Sequence, residues 1–279
     1  MSRADKDAAR DVLPPLRDVI RRFELSARRS LGQHFLLDPN LTARIARAAG
    51  RLAHVNAIEI GPGPGGLTRA LLEAGANVIA VEKDSRCVEA LTELVSAYPG
   101  SLRVVAGDAL ETDLATLAPA PRRIIANLPY NVATPLLIGW LKQIHADKDV
   151  FARLTLMFQK EVAARLHAQP NTKAYGRLSV MTQWLCEVTH EFDVSPQAFV
   201  PPPKVTSAVV TLIPRAKPLG ETSVSWAAME RVAAAAFGQR RKMLRQSLKR
   251  IGLDPATRGI DGSRRAEDLR VAEFVTLAT

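Results

Sequence analysis

"EIGPGPGGLT", Glu59 to Thr68, stands between an apolar run and a helical pattern, and the fold turns on how it is read. Upstream, "VNAIEI" (55–60) has the apolar, β-branched character of a buried strand. Downstream, "GLTRALLEAG" (66–75) places Leu67, Ala70, Leu71 and Ala74 on one face and stops at Gly75. A strand that passes through a glycine turn into a helix is the first half of a βαβ unit. The rhythm then repeats. "NVIAVE" (77–82) is a second strand and "SRCVEALTELVSAY" (85–98) a second helix. "LRVVAGDA" (102–109) and "RRIIAN" (122–127) are further strands, followed by a helix, "ATPLLIGWLKQI" (133–144), and a strand, "ARLTLMF" (152–158). This alternation predicts an α/β fold, a mostly parallel sheet covered on both faces with right-handed crossovers.

After residue 158 the rhythm changes. "QKEVAARLHAQ" (159–169) and "YGRLSVMTQWLC" (175–186) read as helices, while "EVTHEFDV" (187–194) and "KVTSAVVTLIP" (204–214) alternate as strands do. The stiff loop "SPQAFVPPP" joins these two strands and predicts an antiparallel edge. "RAKPLGETS" (215–223) reads as a linker, and 225–279 as helices. The expected organisation is an N-terminal extension (1–25), a main domain (26–215) and a small C-terminal helical domain (216–279).

Length and composition bound the function. The 279 residues are 47% hydrophobic, enough for a sizeable core, and no apolar run approaches the roughly 20 residues needed to cross a bilayer. The N-terminus, "MSRADKDAARDVLPPLRDVIRRF", is charged and lacks the apolar centre of a secretory signal. Cys87 and Cys186 form neither a metal pattern nor a disulfide framework, so a cytoplasmic setting is expected. The net charge of +10 is unevenly placed. Residues 1–54 carry 11 Lys/Arg against 6 Asp/Glu, residues 55–215 carry 15 of each, and residues 216–279 carry 12 against 7. Basic ends on a neutral middle point to a polyanionic partner, most often nucleic acid, although a high pI alone also serves solubility.

The glycines Gly61, Gly63 and Gly66 match G-x-G-x-x-G, a turn that lets a ligand approach the backbone. The pattern alone fits a nicotinamide or flavin cofactor as well as S-adenosylmethionine (SAM). Glu82 ends the next strand, 21 residues after Gly61, where a carboxylate can accept both hydroxyls of an adenosine ribose. Asp108 ends the third strand, where it can take an adenine amino group. Glu59 precedes the glycines at a position that is usually apolar in dinucleotide loops, and a carboxylate there can face the methionine amine of SAM. The fourth strand enters "RIIANLPYNVATPLL" (123–137) on the same crest. If the substrate is a planar amine such as adenine N6, the Asn127 side-chain oxygen and the Leu128 carbonyl can accept its hydrogens. Pro129 stiffens the turn and Tyr130 offers a face for stacking. A paired base must be flipped out or already unpaired to reach such a site.

These motifs resemble the KsgA/RsmA-type rRNA adenine N6,N6-dimethyltransferases, class I SAM-dependent enzymes. "SLGQHFLLD", "EIGPGPGGLT", "NLPYNVATPLL", "FQKEVAARL", "KAYGRLSVMTQW", "AFVPPPKVTSAVV" and "FGQRRKMLRQSL" occur in order, and the likeness covers residues 26–279. The resemblance implies transfer of four methyls from SAM to N6 of two adjacent adenines near the 3′ end of small-subunit (16S) rRNA. It also implies a role in late assembly of that subunit, and a monomer. By motif it places SAM contacts on His34, Leu36, Gly61, Gly63, Glu82, Asp108 and Asn127, with Glu59 beside them. Adenine capture falls on Asn127, Leu128, Pro129, Tyr130 and a second aromatic, Phe199. His34 departs from the Asn common in the family, though both can donate a hydrogen bond.

"FGQRRKMLRQSLKR" (237–250) holds six Lys/Arg and no acid. Read as one amphipathic helix, it puts Arg241, Arg245 and Lys249 in a stripe and Leu244, Leu248 and Ile251 on another face. Arg240, Arg241, Lys242, Arg245 and Lys249 are the candidate RNA contacts. Rival readings are an Erm-like large-subunit rRNA or DNA adenine methyltransferase, an NAD-dependent oxidoreductase, and a non-catalytic assembly factor. Glu59 and the Asn-Leu-Pro-Tyr turn argue against the oxidoreductase, and the intact Glu82, Asp108, Asn127 and Tyr130 argue against lost chemistry.

Overall fold

The computed structural model describes residues 13–25 and 33–279; residues 1–12 of the N-terminal stretch and 26–32, which include Ser30–Gly32 of the "SLGQHFLLD" motif, lie outside them. A seven-stranded sheet runs in the order β4-β3-β2-β5-β6-β9-β7. Its strands are β2 (Asn56–Ile60), β3 (Asn77–Glu82), β4 (Leu102–Ala106), β5 (Arg122–Asn127), β6 (Arg153–Gln159), β7 (Cys186–Val194) and β9 (Ser207–Pro214). Pairings from β4 through β6 are parallel, in registers such as Ile58↔Ile79 and Ile58↔Ile124, and the edge is antiparallel. The strand order reverses at β2, which has β3 on one side and β5 on the other, so the crest above β2 is a topological switch point where open α/β sheets bind ligands. Ile58, Ile124, Ile125, Leu154 and Leu156 are fully buried, as both-face coverage of a parallel sheet demands. A separate two-stranded ladder pairs β1 (Phe35–Leu36) with β8 (Phe199–Val200), antiparallel, with Leu36 opposite Phe199.

The helices that frame the crest are α1 (Leu16–Arg22), α2 (Pro39–Ala48), α3 (Gly66–Glu73), α4 (Ser85–Ala90), α5 (Thr92–Ala97) and α6 (Tyr130–Ala146). Residues 85–98, expected as one helix, divide into α4 and α5 at Leu91, which keeps helical dihedrals. α7 (Lys160–His167) and α8 (Arg177–Leu185) follow β6, and α9 (Trp226–Gly238), α10 (Leu244–Ser247) and α11 (Val271–Ala278) complete the chain.

Two compact units are present. The first comprises the described residues within Met1–Gly139, with Asp149–Lys160 and His190–Thr211; the second comprises Trp140–Lys148, Glu161–Thr189 and Leu212–Thr279. The second therefore takes in α7 and α8 as well as the C-terminal helices expected over 225–279. Its core includes Phe237 stacked on Phe274 (5.5 Å between centroids) and the buried Tyr175, whose hydroxyl donates to the Leu269 carbonyl at 2.8 Å. Among the described residues no helix is long and apolar enough to cross a membrane.

The basic stretch 237–250 is a correction to the expected continuous helix. α9 ends at Gly238, residues 239–242 turn, Met243 pairs as an isolated antiparallel bridge with Arg265, and only Leu244–Ser247 is α-helical. The Leu244 N–H donates to the Arg264 carbonyl at 2.8 Å, a long-range bond that competes with the helical one.

Candidate active site

β2 delivers its chain into the glycine turn with Glu59 and Ile60 buried. Gly61 (φ +65°) and Gly63 (φ +55°) adopt left-handed backbone that other residues resist, and Gly65 (φ +91°) is the left-handed cap of α3. Gly66 has a different reason. A Cβ there would overlap the Leu36 carbonyl oxygen, so this glycine admits β1 against the start of α3. At Gly63 an added Cβ would stand 3.1 Å from the Phe35 ring.

A cavity of about 200 Å³ opens above this turn, lined by the glycine loop, His34, Leu36, Glu59, Glu82, Asp108 and the turn Asn127–Tyr130. Of the residues singled out for SAM and adenine, the fold brings all but Phe199 to this one pocket. Glu82 is 6% exposed; its Oε2 accepts from the Gly63 N–H (3.1 Å) and its Oε1 from the Asp84 N–H (2.8 Å). Burial raises its pKa above the usual carboxylate range while the backbone donors oppose the rise. Its remaining lone pairs can still accept ligand hydroxyls. Asp108 accepts from Lys83 Nζ (2.7 Å) and the Leu110 N–H (2.9 Å), and the Lys83 ammonium holds its carboxyl below the ordinary value.

Glu59 is 1% exposed, and burial pushes its carboxyl up to about 8, with the Thr68 hydroxyl opposing the rise and the Glu82 charge adding to it. Its Oε2 has no hydrogen-bond partner among the described residues. A buried, unpartnered carboxyl oxygen in a pocket wall suits a cationic amine, and the open glycine turn suits a ligand that presses on backbone. The residues therefore fit a SAM-like molecule with an ammonium group at one end and an adenosine ribose at Glu82.

β5 ends at Asn127, whose Nδ2 donates to the His34 carbonyl at 3.0 Å. Because a carbonyl only accepts, the amide nitrogen must face His34, and Oδ1 is left as the acceptor. Leu128 is 2% exposed, so its side chain is core. Pro129 precedes the first helical residue, and its carbonyl accepts the Val132 and Ala133 N–H groups (both 3.1 Å). The helix thus begins at Tyr130, three residues before the sequence pattern put it, and Tyr130 sits in its first turn. The Tyr130 hydroxyl shares a 2.5 Å hydrogen bond with Ser207 Oγ, and burial raises its pKa, so it stays a neutral phenol. His34 donates from Nδ1 to the Pro201 carbonyl (2.8 Å), with its ring 5.6 Å from that of Tyr130.

Phe199 stands apart from the pocket lining. It is 2% exposed, turned into the core by the β1–β8 ladder, and its ring meets His34 edge-on (6.4 Å, 77°) rather than facing the pocket. Sequence reasoning also passed over Lys83, Ser207 and Gly65. Only Gly65 carried a local signal, as the glycine immediately before a helical pattern.

In the second unit Arg241, Lys242, Arg245 and Lys249 are exposed. Arg240 is committed: Nε to Glu267 Oε2 (2.6 Å), Nη1 to the Lys173 carbonyl (2.9 Å) and Nη2 to the Thr172 carbonyl (3.0 Å). It ties the turn after α9 to the loop before α8.

Residues 24–279 match the family model described as ribosomal RNA adenine dimethylase. The chain is 60% identical over 272 residues to the ribosomal RNA small subunit methyltransferase A of Rhodospirillum rubrum, covering 96% of this chain and 92% of that one. Among solved structures, it is similar to a dimethyladenosine transferase from Plasmodium falciparum (TM-score 0.72, 27% identity, 88% of this chain and 96% of that one). It is also similar to the 23S rRNA methyltransferase ErmE (TM-score 0.65, 29% identity, 88% and 98%).

Proposed function

The chain belongs to the ribosomal RNA adenine dimethylase family, and from that premise we propose that it uses SAM to dimethylate N6 of two adjacent adenines near the 3′ end of 16S rRNA, with a second, binding role in late assembly of the small subunit. The observation that carries the chemistry is the fixed amide of Asn127. With Nδ2 held by the His34 carbonyl, Oδ1 is a pre-oriented acceptor at the strand end. Together with the Leu128 carbonyl it takes the hydrogens of an adenine amino group and localises the nitrogen lone pair for attack. SAM, when bound, supplies an electrophilic sulfonium methyl. Transfer would form the N–C bond as the S–C bond of SAM breaks, would release S-adenosylhomocysteine (SAH), and would leave the nitrogen's proton to water. No general base is needed, because the newly alkylated nitrogen is acidic; alignment supplies the rate.

The proposed assignments follow the pocket. Glu59 faces the amine end of the cofactor and Glu82 the ribose. Asp108 takes the adenine end, while Gly61, Gly63, His34 and Leu36 shape the wall. Tyr130 stacks the target base. Arg241, Lys242, Arg245 and Lys249 contact RNA phosphates.

The likeness to ErmE makes large-subunit rRNA the specific alternative substrate. Labelled SAM is therefore offered with unmethylated small subunits, large subunits and duplex DNA in parallel. Label on two adjacent adenines of the small subunit alone is the expected result. Label on large subunits or DNA keeps the chemistry and moves the substrate. Subunit binding with no transfer leaves the assembly role as the whole function.

A further inference from the structure

Residues 13–25 lie outside every motif quoted above, yet they are built into the back of the pocket. Leu16 Cδ2 stands 3.1 Å from the Cβ position of Gly66, the glycine on which the Leu36 carbonyl also rests. Arg69, on α3, donates from Nη1 to the Pro14 carbonyl at 2.9 Å. Val19 and Leu25, each 2% exposed, share a small core with Phe35, Cys87 and Ala90, and Phe35 is the ring that packs on Gly63. A second line of contacts is polar. Arg86 donates from Nη1 to the Glu24 carbonyl (3.1 Å) and from Nε and Nη2 to the two oxygens of Asp84 (3.1 and 2.7 Å). The Asp84 N–H in turn donates to Glu82 Oε1, and Glu82 Oε2 holds the Gly63 N–H. Two of the three motif glycines and the ribose acid are thus fixed by groups that belong to residues 13–25 or rest on them.

We propose that residues 13–25 are a strap that sets the binding geometry of the glycine loop, anchored by Leu16 and Val19, with Arg86 as the positioning residue that joins it to Glu82. This rests on the pocket being the SAM site. A seven-residue helix has too few internal hydrogen bonds to stand alone, so α1 is ordered by its docking. Docking and loop geometry are then coupled, and coupling is reciprocal: a ligand that needs the loop in this form favours the docked strap, and the docked strap favours the ligand.

The test uses the full chain and SAH as the probe, with titration calorimetry for affinity. Leu16→Ala combined with Val19→Ala should weaken SAH binding at least about tenfold, raise KM for SAM and leave kcat at saturating SAM unchanged. SAH should also slow tryptic cleavage at Arg17, Arg21 and Arg22 in the wild type. Phe274→Leu, in the core of the other unit, controls for general destabilisation and should lower Tm without changing SAH affinity. Arg86→Gln attacks the same link from its other end and serves if the double variant does not fold. An unchanged SAH Kd in whichever of these strap variants folds, with strap cleavage accelerated, would overturn the strap alone. Failure of the wild type to bind SAH would overturn the reading of the pocket and the strap with it.

Discussion

Asn127 can satisfy its surroundings in one orientation only, and two predictions follow from single side chains of this kind. Asn127→Ala removes the acceptor for the adenine amine and should lower kcat by about 10²–10³-fold, the range seen when one preorganised hydrogen-bonding group is deleted from an active site. Binding to small subunits should stay nearly intact; single-turnover transfer and co-sedimentation check the two halves, and normal turnover would sink the proposed role. The second concerns Glu59, whose folded-state pKa of about 8 lies above its ordinary 4.5. The folded chain therefore holds a proton that the unfolded chain releases. That contribution to stability is complete below about pH 4.5 and lost as pH rises through about 8. A cationic amine needs the ionised form, so SAH affinity should rise from about pH 6 to about pH 8, with a proton released on binding. Glu59→Gln should flatten both the Tm profile and the affinity profile in that window. Calorimetry in buffers of different ionisation enthalpy reads the proton directly, and a pH-independent wild-type affinity would refute the pairing of Glu59 with the amine.

At the scale of elements, local pattern was enough wherever burial and turn chemistry agreed. β2, β3 and β4 are apolar runs that lead into a glycine turn, Glu82 and Asp108, and their crest was readable because these ends fell on three successive strands, with the amide of Asn127 closing the fourth, β5. Where long-range pairing decided, the sequence was silent. Phe199 looks like a platform by motif, but its strand pairs with Phe35–Leu36 more than 160 positions away, and the ladder turns the ring inward. The segment 237–250 has a helical charge stripe, but the Met243–Arg265 bridge and the Leu244 N–H bond to Arg264 break it into a turn and a short helix. The start of α6 was missed for a local reason: its apolar face begins at Ala133, while the cap is the carbonyl of Pro129. Arg240, grouped by sequence with Arg241 as a candidate RNA contact, is instead held by Glu267 and two carbonyls. Arg240→Ala strands Glu267 and two backbone carbonyls and should cost about 1–2 kcal/mol of stability, discounted for the partial exposure of the pair. Its effect on the salt dependence of RNA binding should be negligible; a large loss of salt slope with unchanged Tm would put Arg240 back among the phosphate contacts.

For the whole molecule the informative quantity is where the charge resides. The second unit carries 18 Lys/Arg against 10 Asp/Glu, so eight of the ten net positive charges belong to it, while the unit with the pocket is nearly neutral. On the proposed function, such a division would give sequence-independent attraction for phosphate to one unit and the reading of a single adenine to the other. The two functions should then fail separately. Every phosphate that a cation no longer neutralises takes roughly 0.7 to 0.9 from the slope of log Kobs against log salt, the lower value for single strands and the higher for duplex. Arg241→Ala with Arg245→Ala should therefore reduce that slope for small-subunit binding by about 1.4–1.8. SAH affinity and single-turnover transfer at saturating subunit should remain at wild-type values, because both depend on the other unit. Filter binding across a series of potassium chloride concentrations measures the slope, and calorimetry measures the cofactor. An unchanged slope would clear these arginines of phosphate binding and move the electrostatic footprint elsewhere. A weakened SAH affinity would mean that the charge-bearing surface and the pocket are not energetically separate.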